Sequence, residues 1–200
     1  MDGKTVVLCL LLFLYGTEVM ANIFNNPTNI EVGEGFAGET GELYAKDRTG
    51  DKKPFVVFDT PEMGLRAVFR DIRSKVKEFD GDVDKIITKF APSTENVTSE
   101  YIKRIKKSIG KDKKINNKNL IKVVKEMVSI EADDNPKMIK YYLGDPNIIN
   151  AAEELSLIDM PSNTTGETAK KLYYKGEFAR KTGGRIMNIT KQNYNTQRFI

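Results

Sequence analysis

Two hundred residues, 40% apolar and 9% aromatic with a net charge of +4, suffice for one domain with its own core plus appendages. The chain has no His and no Trp, and its one Cys, Cys9, lies in an N-terminal apolar run. Imidazole triads, imidazole metal sites and a disulfide framework are thereby excluded. Any catalysis rests on Asp, Glu, Lys, Tyr or backbone groups, which makes carboxylate-driven glycoside hydrolysis the natural enzyme class. No cofactor or metal is expected. Residues 162–200 hold eight Lys and Arg against Glu167 and Glu177, a net of +6, so residues 1–161 net −2.

Met1 to Ala21 has the shape of a signal peptide: Lys4, an apolar core from Val6 to Tyr15, and Val19-Met20-Ala21 at a cleavage position. The competing reading takes Met20 as the start and the preceding residues as upstream extension. Either way residues 1–20 stand outside the fold. From Asn22 to Asp51 the chain is rich in Gly, Asn and Glu. Gly33, Gly35, Gly38 and Gly41 exclude a stable helix there and predict short strands or an ordered loop.

Phe55 to Phe58 reads as a strand bounded by Pro54 and Asp59-Thr60-Pro61. Thr60 is an N-cap and Pro61 suits a first helical turn, predicting a helix to about Phe79. Its apolar face carries Leu65, Val68, Phe69, Ile72, Val76 and Phe79. Arg66, Arg70 and Arg73 fall off that face and read as a solvated surface. After the turn Asp80-Gly81-Asp82, a short helix holds Val83, Ile86, Ile87 and Phe90. Thr98 or Ser99 caps the next, which Gly110 stops; a fourth runs from Leu120 to Ile130. Asn135-Pro136 and Asp145-Pro146 open two more, ending at Gly144 and near Leu157. Thr165 to Lys181 is predicted helical, and the polar remainder extended.

Four carboxylates, Glu31, Glu34, Glu39 and Glu42, precede the strand and are the candidate catalytic residues. A glycosidase needs an acid whose pKa burial or a like-charged neighbour has raised, but their spacing specifies no pairing. The acidic residues do not follow a calcium-loop pattern, and no Gly-Lys-Ser/Thr follows the glycines. The basic run from Lys103 to Lys114 has charge enough to meet phosphates, but its lack of aromatics reads as surface, and no specific nucleic acid is predicted. The tail is the better electrostatic binder: Tyr173, Tyr174, Phe178, Tyr194 and Phe199 interleave with its basic residues, as in partner-docking or nucleic-acid segments.

Three motifs resemble a family of bacteriophage virion structural proteins. They are Asn25-Asn26-Pro27-Thr28-Asn29-Ile30, where the family has Gly at the position of Thr28; Phe55 to Ala67, with its Gly64-x-Arg66-Ala67; and Ala91-Pro92 through Glu95-Asn96 to Tyr101. The resemblance covers roughly residues 22–131. It implies a lysozyme-like, peptidoglycan-directed domain, mainly α (α+β), with a small N-terminal β/loop region and an extended basic C-terminal tail. The expected domain spans residues 22–160 and the tail residues 161–200. Asn25, Asn26, Asn29, Tyr44 and Phe55 are the candidate substrate-binding residues on its recognition face. In lysozyme-like enzymes the catalytic Glu closes a helix upstream of the β region, and without residues 1–20 no such helix is left. The expectation is therefore a virion-associated protein that binds peptidoglycan or another glycan polymer and docks other virion proteins through its tail. The alternatives are an active muramidase-type glycosidase using a loop Glu, and a secreted or membrane-anchored bacterial cell-wall protein if residues 1–21 act as a signal.

Overall fold

The computed structural model describes residues 24–33, 35–44, 53–92 and 97–172. Residues 1–20, Glu34, Ser93 to Asn96 and the tail beyond Leu172 lie outside the described residues. The chain is mainly helical with a small sheet, as expected. It runs β1 (Glu39–Leu43), β2 (Phe55–Phe58), α1 (Pro61–Glu78), α2 (Val83–Phe90), α3 (Thr98–Ile109), α4 (Leu120–Glu131), α5 (Pro136–Leu143) and α6 (Pro146–Leu155). Residues 166–172 are also helical. No helix among the described residues is long and apolar enough to cross a membrane.

The boundaries follow local chemistry. The Thr60 hydroxyl accepts from the Met63 amide, and Pro61 occupies the first turn, where its missing N–H costs nothing. Asp82, Asn135 and Asp145 cap α2, α5 and α6 through their side-chain oxygens. Helix α3 differs from expectation. Its cap residue is Val97, and Thr98 lies inside the first turn, where its buried hydroxyl donates to the Ala91 carbonyl at 2.7 Å. Thr98 thus ties α3 to the end of α2 rather than capping α3.

β1 and β2 pair antiparallel, with Leu43 opposite Phe55, Glu39 opposite Phe58, and an irregularity between Glu39 and Gly41. A single bridge joins Glu31 to Phe55 on the other side. Val56 and Phe58 point inward and are fully buried, while β1 is largely exposed. The ribbon is thus a half-buried flap whose inward residues anchor it.

Helix α1 is the spine. Every residue from Glu62 to Phe69 is buried, because α1 serves two cores. Leu65, Val68, Phe69 and Ile72 pack with Ile86, Ile105, Val124 and Tyr142 in the larger, helical core. Met63 and Ala67 turn the other way, against Phe36, Val56, Phe58, Leu155 and Ala169. Ala169 is fully buried. Packing therefore continues past residue 160, where the tail was expected to begin.

The arginines of α1 are the main departure from the sequence reading. Arg66, only 2% exposed, donates from Nε to the Leu155 carbonyl at 3.1 Å and from Nη2 to the Ile158 carbonyl at 2.9 Å. Arg70 pairs with Asp159 at 2.9 Å, and Arg73 reaches Glu153, the Ser156 hydroxyl and Asn117. Spaced at helical repeats, the three close on the C-terminus of α6. A helix end presents unpaired carbonyls and the negative end of its dipole, and a guanidinium answers both. What sequence periodicity placed in solvent is a clasp holding α6 on α1.

Candidate functional site

The stretch Asn25 to Ile30 hooks over the junction of β2, α1, α5 and α4. Asn25 and Asn29 adopt left-handed backbone, with φ of 49° and 55°, a conformation that Asn tolerates better than most residues. Thr28 is not among the positive-φ residues, so the Gly usual there is not needed for the turn.

The hook is held by side-chain amides. Asn25 Nδ2 donates to the Phe58 carbonyl at 3.0 Å, and its Oδ1 accepts from the Tyr141 hydroxyl at 2.8 Å. Asn26 Nδ2 donates to the carbonyls of Ile30 and Val56, both at 2.9 Å, while its Oδ1 accepts from the Ile30 amide at 2.8 Å. Both residues are buried. Their polar atoms add to the backbone bond from the Val56 amide to the Ile30 carbonyl and so seam the hook to β2. Two of the five candidate substrate-binding residues are therefore turned inward.

The other three lie elsewhere. Tyr44 is exposed at the end of β1, and Phe55 is half-buried within β2. Asn29 is exposed, and its Nδ2 donates to Glu131 Oε2 at 3.1 Å. Of the candidate catalytic carboxylates, Glu31 and Glu42 are exposed on the ribbon side, and Glu39 accepts from the Phe36 amide at 2.7 Å. Glu34 lies outside the described residues. None of the described three is buried.

The carboxyl that its surroundings push upward is Glu131, which sequence reasoning did not single out. It closes α4 and is half-buried, and burial pushes its carboxyl up to about 7 against the amide hydrogen bond from Asn29, which favours the charged form. Beside it stands Tyr101 of α3, 3% exposed, whose hydroxyl is turned to Glu131 and, like the Asn29 amide, favours the charged carboxylate. Burial first, then the Glu131 charge, pushes that phenol well up. One turn along α3, Arg104 donates to Glu126 at 2.7 Å and grips both oxygens of Asp134 at 2.8 Å. The guanidinium holds the Asp134 carboxyl below its ordinary value. Two carboxyls three residues apart are thus driven in opposite directions, one toward the acid and one toward the carboxylate, by different surroundings. The available signal was the position of Glu131 as the last residue of an amphipathic helix. What lifts it is burial against α3 and the hook, which periodicity does not report.

A second polar cluster sits at the N-terminus of α1. Glu62 is buried, with Oε1 paired to Lys170 at 3.0 Å and Oε2 unpartnered. Asp59 Oδ2 accepts from the Gly166 amide at 2.5 Å. Residues 166–170 are therefore strapped across the start of α1, where carboxylates complement the positive helix end.

No protein-family model matches the chain. Over 116 residues it is 31% identical to protein P5 of Pseudoalteromonas phage PM2, an alignment covering 56% of this chain and 70% of that protein. The Asn-rich hook, the arginine clasp and the Glu131 cluster are thus features of a chain that belongs to the family of bacteriophage protein P5.

Proposed function

We propose that the chain is a virion-associated structural protein whose lysozyme-like helical domain binds peptidoglycan at the face formed by Asn29, Glu131 and Arg104. Membership in a phage protein family supports the virion assignment. The observation that carries the binding face is the Asn29–Glu131 pair at 3.1 Å, an exposed amide against a half-buried carboxyl, with an ion-paired carboxyl three residues on in the chain. Such amide and carboxyl groups recognise glycan hydroxyls, to which they both donate and accept. The basic residues beyond Leu172 supply the contact to other virion components. Retention of the full chain on purified sacculi tests the reading. The native protein should be retained, and Asn29→Ala combined with Arg104→Gln should release it. Equal retention of the two would overturn the assignment of this face.

A second reading, an active glycosidase, is favoured by one specific observation: the opposed carboxyls. Glu131, raised by burial, would protonate the leaving oxygen, and Asp134, held ionised with both oxygens on Arg104, would stabilise the positive charge that develops on the sugar. A zymogram on peptidoglycan separates the two readings. Clearing by the native chain that Glu131→Gln abolishes would establish the enzyme. Clearing that survives Glu131→Gln but fails in Glu39→Gln or Glu42→Gln would return the acid to the loop. Retention without clearing leaves the binding reading in place.

A further inference from the structure

The α3–α4 hairpin carries a set of lysines that the proposed glycan face does not use. From Lys103 to Lys125, nine lysines and Arg104 stand against Asp112 alone, a net of +9 in a chain whose total is +4. Part of this is neutralised locally: Lys103 pairs with Glu100, Lys106 with Asp84, Lys114 with Asp80, and Arg104 with Glu126 and Asp134. Asp112 itself accepts from the Asn119 amide group. Lys107, Lys111, Lys113, Lys118, Lys122 and Lys125 are exposed and form no ion pair among the described residues.

Connectivity gathers the first five of these lysines at one end of the hairpin. Lys107 lies in the last turn of α3, Lys111 and Lys113 in the connection, and Lys118 and Lys122 where α4 begins. Leu120 to Lys125, the part of this run on α4, spans about 8 Å of helix axis. Over that length duplex DNA presents about four phosphate charges. Helix α4 starts with no acidic residue in its first turn and no side-chain cap, so the positive end of its dipole adds to the same field. The apolar residues of the stretch turn inward: Ile109, Ile115 and Leu120 are all buried. A surface that binds a bilayer by insertion sets apolar side chains beside its cations, and this end offers charge without them. The free cations are all lysines, point charges suited to phosphate rather than the planar forks that read base edges.

We propose that this end of the α3–α4 hairpin binds duplex DNA through its phosphate backbone, without sequence preference. The surface is independent of the Asn29–Glu131 face and of the peptidoglycan reading. Fluorescence anisotropy of the full chain with a labelled mixed-sequence duplex, over a range of salt, is the test. The native chain should bind, with log affinity falling against log salt by about 0.9 per phosphate contacted. The combined variant Lys111→Gln, Lys113→Gln, Lys118→Gln and Lys122→Gln should weaken binding by about tenfold or more and flatten the salt slope by up to about four units. A charge-matched control, Lys77→Gln, Lys85→Gln, Lys89→Gln and Lys140→Gln, should bind within about threefold of native. Thermal melts confirm that both variants fold. Absence of binding, or an equal loss in the control, would overturn the proposal. So would loss confined to a tail variant (Arg185→Gln, Lys191→Gln, Arg198→Gln). Capture of anionic phosphatidylglycerol vesicles through the same lysines, with DNA left unbound, would replace it with a membrane surface.

Discussion

The carbonyl oxygen of Asn25 occupies the space that a side chain at Gly64 would need. A methyl group there would overlap that oxygen outright and crowd Pro27 Cδ at 3.1 Å. Gly64 lies in the first half of the buried spine helix, where Ala would ordinarily be the better residue by about 1 kcal/mol. The close approach of the hook outweighs that preference. It also ties the Asn25-Asn26-Pro27 motif to Gly64-x-Arg66-Ala67: the two are opposite sides of one contact.

Gly64→Ala should therefore destabilise the protein by about 1–3 kcal/mol or more despite the gain in helix propensity, as overpacked backbone contacts do. Urea unfolding measures it. Gly41→Ala on β1, with nothing within 4 Å of the new methyl, serves as the comparison and should stay within about 0.5 kcal/mol. Equal effects at the two positions would refute the account of Gly64.

Asn26→Ala removes three hydrogen bonds and leaves the Ile30 and Val56 carbonyls and the Ile30 amide without this partner. The Ile30 carbonyl keeps the Val56 amide, so a loss of about 1–3 kcal/mol follows from the remaining two groups. Asn29→Ala, at an exposed position, should cost about 1 kcal/mol or less, chiefly through its left-handed backbone. Chemical denaturation of both variants would rank them, and the reverse order would contradict the roles given to the two residues.

Arg66 and Arg70 separate buried from exposed work on the same helix. Arg66→Met should lower stability by about 3 kcal/mol, since two carbonyls at the end of α6 lose charged donors in a dry site. Arg70→Ala, whose side chain is 36% exposed and whose partner Asp159 is almost wholly exposed, should cost under about 1 kcal/mol. Differential scanning calorimetry of the two variants checks the ordering.

The raised carboxyl of Glu131 sets a pH signature. Unfolded, Glu131 titrates near its ordinary value; folded, it holds its proton to about 7. Between those values the folded state binds more protons than the unfolded, so this group's contribution to stability declines as pH rises, and by pH 8 it has become a full penalty. Glu131→Gln should match native stability near pH 4. At pH 8 it should exceed native by up to about 3 kcal/mol, the scale of that shift. Melting temperatures across this range decide it, and parallel curves for the two proteins would refute the buried-acid assignment.

The strap over α1 makes a prediction about the end of the domain. A chain ending after residue 172 should melt close to the full-length protein. One ending after residue 160 forfeits the Gly166 to Asp59 bond, the Lys170 to Glu62 pair and the buried Ala169. It should lose about 2 kcal/mol, the scale of a backbone bond to a buried carboxylate and its neighbours. Equal melting of the two chains would put the boundary back at residue 160.

What the sequence by itself determined was local. Thr60-Pro61, Asn135-Pro136 and Asp145-Pro146 start helices because the cap and the fixed φ of Pro act within one turn, and the apolar spacing of α1 names its core face without reference to anything distant. The mainly helical class follows from those signals in series. What only the tertiary structure decided were the roles of polar side chains. Asn29 meets Glu131 across 102 residues, Tyr141 meets Asn25 across 116, and Arg66 reaches Leu155 across 89. Whether an Asn faces solvent or a neighbouring strand, and whether a Glu is an ordinary surface carboxylate or a half-buried acid, depends on which distant backbone arrives beside it. Desolvation is a property of that neighbourhood rather than of the residue, so Asn25, Asn26 and Arg66 turned inward and Glu131 took on the perturbed chemistry.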